Sequence, residues 1–170
     1  AAGITYRGQA YFGWQRQENQ KETVQEMLET AFSFVANHFI RVHCAGRTDR
    51  GVHGVGQVIH FDTNVARRMD QWLLGVNAQL PSDIRVQWVC SVPDDFHARF
   101  SALSRSYRYV IDLDPNASAV FDGHAYAYRW PLDYEAMHQA MQYWLGEHDF
   151  SSFRSSMCGA KHPVRVVQKA

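Results

Sequence analysis

Apolar and polar positions along the first half of the chain predict four strands and two helices. Apolar, β-branched or alternating stretches indicate strands at residues 1–6, 40–45, 55–63 and 84–90. In the third of these stretches, one face of the strand carries Val55, Gln57, Ile59 and Phe61. Such alternation is typical of a strand that buries one of its faces.

Helical spacing separates these strands. The string Thr23-x-x-Glu26 is a capping box, in which two side chains accept hydrogen bonds from the first backbone N–H groups of a helix. The apolar residues that follow it at helical spacing are Val24, Met27, Leu28, Ala31 and Val35. A second helix is predicted from about Asp70 to Asn77, and it ends before the string Leu80-Pro81-Ser82-Asp83.

The resulting order, β-α-β-β-α-β, is the ferredoxin-like plan, whose antiparallel sheet carries its helices on one face. We therefore predict an α+β protein in which residues 1–97 form an N-terminal half. The pattern then starts again, so residues 98–170 are predicted to begin a second, incomplete half of the same kind. A complete second half needs further elements, and we expect the natural protein to continue beyond residue 170.

Three elements are predicted in this second half. One side of a long strand carries Tyr107, Tyr109, Ile111 and Leu113. Asp133 is a candidate N-cap for a third helix, whose inward residues are Met137, Ala140, Met141, Trp144 and Leu145. A last strand is predicted at 164–167.

Between the second and third strands lies a glycine-rich, charged loop at residues 44–54, longer than a plain hairpin needs. Asp49 stands in it between Arg47 and Arg50. A close guanidinium lowers the pKa of a carboxyl group by about 1–3 units. Asp49 would then stay ionised, as a nucleophile or as a stabiliser of a cationic sugar-like centre, while the arginines meet phosphates. The alternative is that Asp49 caps the turn and both arginines are solvated.

Composition narrows the classes of partner. The 17 basic and 17 acidic residues give a formal net charge of zero, so any RNA binding must rest on local basic patches. Cys44, Cys90 and Cys158 have no C-x-x-C spacing, which indicates reduced thiols in a cytoplasmic protein. No apolar run approaches the length of a membrane span, so no membrane partner is predicted.

The loop string closely resembles the active-site motif of the TruA-type tRNA pseudouridine synthases. It reads Gly46-Arg47-Thr48-Asp49-x-Gly51-Val52-His53-Gly54 and continues with Gly56-Gln57-Val58-x-His60-Phe61. Further strings similar to this family are Tyr6-x-Gly8, Phe12-Gly13-Trp14-Gln15-Arg16-Gln17, Asp95-Phe96-His97-Ala98-Arg99-Phe100 and Tyr107-Arg108-Tyr109. The resemblance covers nearly the whole chain, in the right order.

This resemblance implies an isomerase that converts uridine to pseudouridine at positions 38–40 of the tRNA anticodon stem-loop, without a cofactor. It makes Asp49 the catalytic nucleophile; attack on C1′, attack on the base and removal of a ribose proton all stay open. By the same match, Arg47 fills the space of the flipped base and holds a phosphate. Tyr107 stacks on the uracil, an interaction worth ~1–3 kcal/mol per base.

The resemblance also makes Thr48, Arg50 and His53 candidates for substrate binding. Members of the family have two halves joined into one continuous sheet with the catalytic cleft between them, and they work as homodimers on tRNA. Two positions depart from the usual bacterial pattern. Arg7 stands where Asp is usual, and Arg50 stands where Ala is usual.

Three other interpretations compete with this one, and the simplest is that the chain is a structural remnant with no activity of its own. A non-catalytic RNA-binding module of the RRM type shares the β-α-β-β-α-β order, but the strand at 55–63 lacks the RNP1 pattern of that class. A zinc site could be built from His43, Cys44, His53 and His60, but strand alternation divides these residues between faces. We therefore predict no bound metal.

Overall fold

Four strands and two helices follow one another in residues 1–108, the first of two compact units of the computed structural model. The structure describes residues 1–17, 22–116, 119–154 and 162–170. The elements are β1 (Ala2–Tyr6), α1 (Val24–Ala36), β2 (His43–Cys44), β3 (Gly54–His60), α2 (Met69–Gln79) and β4 (Ile84–Val89). Their mixture of helices with an antiparallel sheet confirms the predicted α+β class.

The four strands form one sheet in the order β2-β3-β1-β4, and all neighbouring pairs are antiparallel. β1 lies in the centre, where Tyr6 is opposite Gly54 on one side and Ile84 on the other. The loop between β2 and β3 therefore rejoins the sheet beside the end of β1. This placement brings Tyr6 next to the glycine-rich loop.

β2 is shorter than the predicted strand at 40–45. Ile40 and Val42 are buried in the core, but side chains of α1 take their backbone N–H groups. The N–H of Ile40 donates to Ser33 Oγ over 2.8 Å, and that of Val42 donates to Glu29 Oε1 over 3.1 Å. Since these groups bond to the helix, they do not extend the ladder.

α1 begins where its capping box predicts. Thr23 is the N-cap, and its hydroxyl accepts the N–H of Glu26 over 3.3 Å. The Glu26 carboxylate accepts the N–H of Glu22 rather than that of the cap. The predicted apolar positions Val24, Leu28, Ala31 and Val35 are buried, and Met27 packs partly buried against the same core.

An aromatic cluster joins both helices to the sheet. The ring of Phe32 on α1 lies 4.6 Å from that of Phe61 and 6.1 Å from that of Trp72, measured between centroids. Phe32 is fully buried, so truncating it leaves a cavity. We expect Phe32→Ala to lower the free energy of unfolding by about 3–5 kcal/mol.

Urea denaturation measures this loss. Leu74→Ala is the matched control, because Leu74 lies on the exposed side of α2, and it should change the free energy of unfolding by less than about 0.5 kcal/mol. Equal losses from the two variants would contradict the placement of Phe32 in the core.

The second unit, residues 109–170, contains short elements. They are β5 (Ile111–Asp112) parallel to β6 (Tyr126–Ala127), α3 (Tyr134–Gln142), and β7 (Gly146–Asp149) antiparallel to β8 (Val164–Val167). β8 and the N-cap are as predicted, since the Asp133 carboxylate accepts the N–H of Ala136 over 2.9 Å.

Two predictions for this unit are wrong. The long strand through Tyr107 and Leu113 is reduced to two paired residues, because β6 offers only two partners. The apolar side of α3 is not buried: Met137 and Met141 are each 41% exposed. Among the described residues of this unit, none belongs to the buried core, so the unit itself provides no core against which α3 could pack.

Two of the three cysteines lie within the described residues. Cys44 and Cys90 are free thiols, and Cys158 lies outside the described residues. Within the described ranges, no helix is long and apolar enough to cross a membrane. The division into halves at 1–97 and 98–170 stays a prediction.

Candidate active-site loop

The glycine-rich loop leaves β2 after Cys44 and rejoins the sheet at Gly54. Its first residues are bonded to β3. Ala45 N–H donates to the carbonyl of Val58 over 2.8 Å. The Gln57 side chain accepts the N–H of Gly46 over 3.2 Å and donates to the carbonyl of the same residue. These bonds hold the start of the loop against the sheet.

Thr48 is anchored from two directions. Its side-chain hydroxyl lies 2.9 Å from the hydroxyl of Tyr6, and its carbonyl accepts the N–H of Trp14 over 2.9 Å. Tyr6 and Trp14 are both buried, and their ring centroids lie 6.0 Å apart. A residue of the loop is thus bonded to the core, immediately before Asp49.

Glycines allow this close packing. A Cβ at Gly13 would lie 2.9 Å from the carbonyl oxygen of Thr48, and Gly13 has φ of +86°, which side chains disfavour. A Cβ at Gly8 would collide with the carbonyl of Val52. The segment 7–17 therefore supports one side of the loop by direct backbone contact.

Asp49 lies in the turn at the tip of the loop, and its side chain is exposed. Its backbone carbonyl accepts the N–H of Val52 over 3.2 Å, and Gly51 follows it with φ of +82°. In the part of the chain that the structure describes, no ion pair joins Asp49 to Arg47 or Arg50. The close pairing that the sequence suggested is not formed.

Arg50 makes a different contact. Its guanidinium carbon lies 4.7 Å from the centroid of the Phe12 ring, within the range of a cation–π interaction. Phe12 is partly exposed at the surface of segment 7–17. The guanidinium next to Asp49 in sequence therefore contacts an aromatic ring of segment 7–17.

The other predicted site residues differ in exposure. Arg47 is exposed on the loop, and Tyr107 is 76% exposed. His53 is half-buried, and its Nδ1 accepts the N–H of Gly8 over 3.3 Å, so it helps to hold the loop. Burial is the main cause that raises the pKa of Tyr6, and the neighbouring Tyr107 adds to it. The Tyr6 hydroxyl thus keeps its proton.

Arg105 is a loop contact that the sequence did not predict. Its Nε and Nη2 donate to the carbonyl of Ala45 over 3.1 and 2.7 Å, and Nη2 also donates to the carbonyl of Arg99 over 3.0 Å. Its side chain also lies against Gly46. No local sequence pattern predicts this contact, because Arg105 and Ala45 are sixty residues apart.

Three histidines lie together near the point where the loop leaves β2. His43 and His60 are opposite one another in β2 and β3, with ring centroids 4.9 Å apart, and His97 lies 4.4 Å from His60. The N–H of Ala98 donates to Nδ1 of His60 over 3.1 Å. Burial, followed by His97 and His43, lowers the pKa of His60, so its ring is neutral. Among the described residues, no group of three or more His, Cys, Asp or Glu is arranged to hold a metal.

The chain is similar in sequence to several known proteins. The chain is 56% identical over 165 residues to a tRNA pseudouridine synthase A of Vibrio parahaemolyticus. The matched residues make up 97% of this chain and 62% of that protein. It is 55% identical over 167 residues to the protein of the same name from Histophilus somni, covering 98% and 62%. It is 54% identical over 167 residues to that of Actinobacillus succinogenes, covering 98% and 63%.

The chain therefore spans less than two thirds of the length of these relatives. A family model described as tRNA pseudouridine synthase matches residues 2–101, which include the sheet, both helices of the first unit and the whole loop. The match extends over more than half of the chain. The chain therefore belongs to the tRNA pseudouridine synthase family.

Proposed function

We propose that the chain carries the catalytic loop of an enzyme that isomerises uridine to pseudouridine at positions 38–40 of the tRNA anticodon stem-loop. The observation that carries the proposal is Asp49, whose carboxylate is exposed directly after the anchored residue Thr48. A carboxylate in a preorganised loop suits attack on a sugar or a base. The relatives named tRNA pseudouridine synthase A support the choice of tRNA as substrate.

The proposed reaction conserves the atoms of the uracil ring. The bond between C1′ and N1 breaks, the base turns, a bond from C1′ to C5 forms, and the proton on C5 is released while N1 gains one. No electron acceptor or group donor enters this balance, so the enzyme is proposed to work without a cofactor. Asp49 is the proposed catalytic carboxylate, which attacks C1′, attacks the base, or removes a ribose proton.

The surrounding residues supply substrate contacts. A base within a helical stem must leave its stack before it reaches Asp49. Arg47 is exposed beside it and is proposed to occupy the vacated space and to bind a phosphate. Tyr107 is the proposed stacking partner of the uracil, and its ring is exposed as that role requires. Thr48, Arg50 and His53 are the further candidates, of which Thr48 and His53 hold the loop.

The architecture is proposed to follow the same family plan. Residues 1–97 are proposed to be a ferredoxin-like half, supported by the sheet order β2-β3-β1-β4 with two intervening helices. Residues 98–170 are proposed to begin the second half. We further propose a homodimer in the full-length protein and a cytoplasmic location, where tRNA is available.

Tritium release tests the activity. Folded tRNA carrying 5-tritiated uridine is incubated with the full-length gene product, and released tritium is counted. Mapping of pseudouridine in tRNA from cells lacking the protein then identifies the sites. Tight binding of the anticodon arm without tritium release would instead support the RRM-like binding module and would overturn the enzyme proposal.

The 170-residue chain by itself is expected to release no tritium and to be poorly soluble. It spans 62% of its Vibrio relative, and large apolar side chains such as Leu103, 98% exposed, and Tyr143, 81% exposed, lie open to water. Apolar surface of this kind promotes association. The measurement compares the chain with the full-length gene product at equal concentration, by tritium release and by light scattering. Comparable release by the two proteins would show that the active site is complete within residues 1–170.

A further inference from the structure

Tyr6 is a core residue whose hydroxyl bonds to Thr48, the residue before Asp49. It lies 2.9 Å from Thr48 Oγ1, across 42 positions of sequence. The ring of Tyr6 is itself held firmly, since Tyr6 is only 4% exposed and Gly54 packs flat against it. Any Cβ at position 54 would collide with this ring. The hydroxyl therefore presents a fixed hydrogen-bonding group to the loop.

The position of this bond in the loop matters for Asp49. The side chain of Asp49 is exposed, and no ion pair among the described residues restrains it. The preceding residue, Thr48, is held at two points. Its carbonyl accepts the N–H of Trp14, and its hydroxyl bonds to that of Tyr6. The first bond sets the path of the backbone, and the second sets the rotation of Thr48. Together they orient the backbone that carries the Asp49 carboxylate.

We infer that Tyr6 is a positioning residue, whose hydroxyl holds Thr48 so that the carboxylate of Asp49 is directed at the substrate. This inference rests on the proposed pseudouridine synthase activity. Tyr6 itself needs no contact with the nucleotide. Its effect is on the rate of the chemical step, because a nucleophile displaced by about 1 Å can lose roughly 10²-fold in rate.

Tyr6→Phe removes the hydroxyl and keeps the ring on Gly54. In the full-length gene product we expect the single-turnover rate on a folded anticodon arm to fall by about 10- to 100-fold, with the Kd for the same RNA unchanged. Thr48→Val should give a similar loss, and Thr48→Ser, which keeps the hydroxyl, should retain most of the rate. The double variant Tyr6→Phe/Thr48→Val should be no slower than the slower single variant, since both remove the same bond.

Tyr11→Phe is the matched control. Tyr11 is a buried tyrosine of the supporting segment 7–17, but its hydroxyl donates to Asp83 Oδ1 over 2.7 Å and so bonds to a residue outside the loop. Tyr6→Phe removes the bond to Thr48 and an interaction with the Gln57 side chain, and Tyr11→Phe removes the bond to Asp83. Tyr11→Phe therefore reports what the loss of a partly buried tyrosine hydroxyl costs in stability alone. A rate loss in Tyr11→Phe equal to that in Tyr6→Phe, or additive losses in the double variant, would overturn the positioning role.

Hydrogen exchange separates this inference from the proposed activity. We expect amide exchange at residues 48–50 to become faster in Tyr6→Phe and to stay unchanged in Tyr11→Phe. If the unmodified protein released no tritium, the proposed function would fail, and exchange alone would decide whether Tyr6 holds the loop. Unchanged exchange at residues 48–50 in Tyr6→Phe would overturn the inference, even in a fully active enzyme.

Discussion

Asp49→Asn is expected to reduce tritium release from 5-tritiated tRNA by about 10⁴-fold or more, the scale on which an enzyme loses its nucleophile. The substitution keeps the size of the side chain and removes its charge. An amide is a poor nucleophile and cannot stabilise a cationic sugar as a carboxylate does. The loop bond at this residue is made by its backbone carbonyl to the N–H of Val52, and Asn preserves it. Folding and tRNA binding should therefore be close to normal.

Three controls sharpen this experiment. Asp94→Asn removes the same charge from an exposed loop residue of the first unit and should leave tritium release unchanged. Filter binding of the anticodon arm should give the same Kd for Asp49→Asn and the unmodified protein, within about twofold. Mass spectrometry after the assay excludes deamidation of Asn back to Asp. Substantial turnover by an intact Asn variant would refute the nucleophile assignment.

Arg47→Ala is expected to lower the single-turnover rate on a folded anticodon arm by about 10²-fold, the scale of a lost positioning contact. Arg47 is exposed on the loop, so its loss should change the free energy of unfolding by less than about 0.5 kcal/mol. A lost phosphate contact should also reduce the salt dependence of binding, by about one unit in the slope of log K against log salt concentration. The smaller rate loss expected on an unstructured uridine oligonucleotide would identify base flipping as the step affected.

Arg67→Ala is the charge-matched control for this variant. Arg67 is exposed on the segment before α2 and lies outside the loop, so its replacement should leave the rate on both RNAs unchanged. Identical single-turnover kinetics for Arg47→Ala and the unmodified protein on the folded arm would count against the flipping role. Equal losses on folded and unstructured RNA would point to general electrostatic attraction instead.

The first unit follows closely from its local pattern. The helix at Val24–Ala36 begins at the capping box, and its apolar stripe is the one that packs on the sheet. The strands at 55–63 and 84–90 are recovered with small changes at their ends. Helical and strand periodicities arise between residues a few positions apart, which is why the sequence alone predicts them. The loop string also carries the resemblance to the family, because that resemblance depends on residue identities and not on contacts.

The second unit shows where local pattern fails. Apolar alternation around Tyr107 and Ile111 suggested a long strand, but a strand forms only as far as a neighbour offers backbone partners, here two residues. The apolar stripe of α3 was correct as a pattern, yet its residues remain exposed. A pattern records the tendency to be buried, whereas burial also requires a second surface.

What the sequence by itself determined is therefore the order of elements in the first unit, the helix cap, the class of fold and the loop that carries Asp49. Only the tertiary structure decided how that loop is held. In it, Glu29 of α1 accepts the N–H of Val42 and so shortens β2. Arg50 lies over the Phe12 ring instead of pairing with Asp49, and Tyr6 bonds to Thr48. These contacts join residues between 13 and 42 positions apart in sequence. Their energy depends on packing that brings distant side chains within hydrogen-bonding range, and no periodicity along the chain encodes that distance.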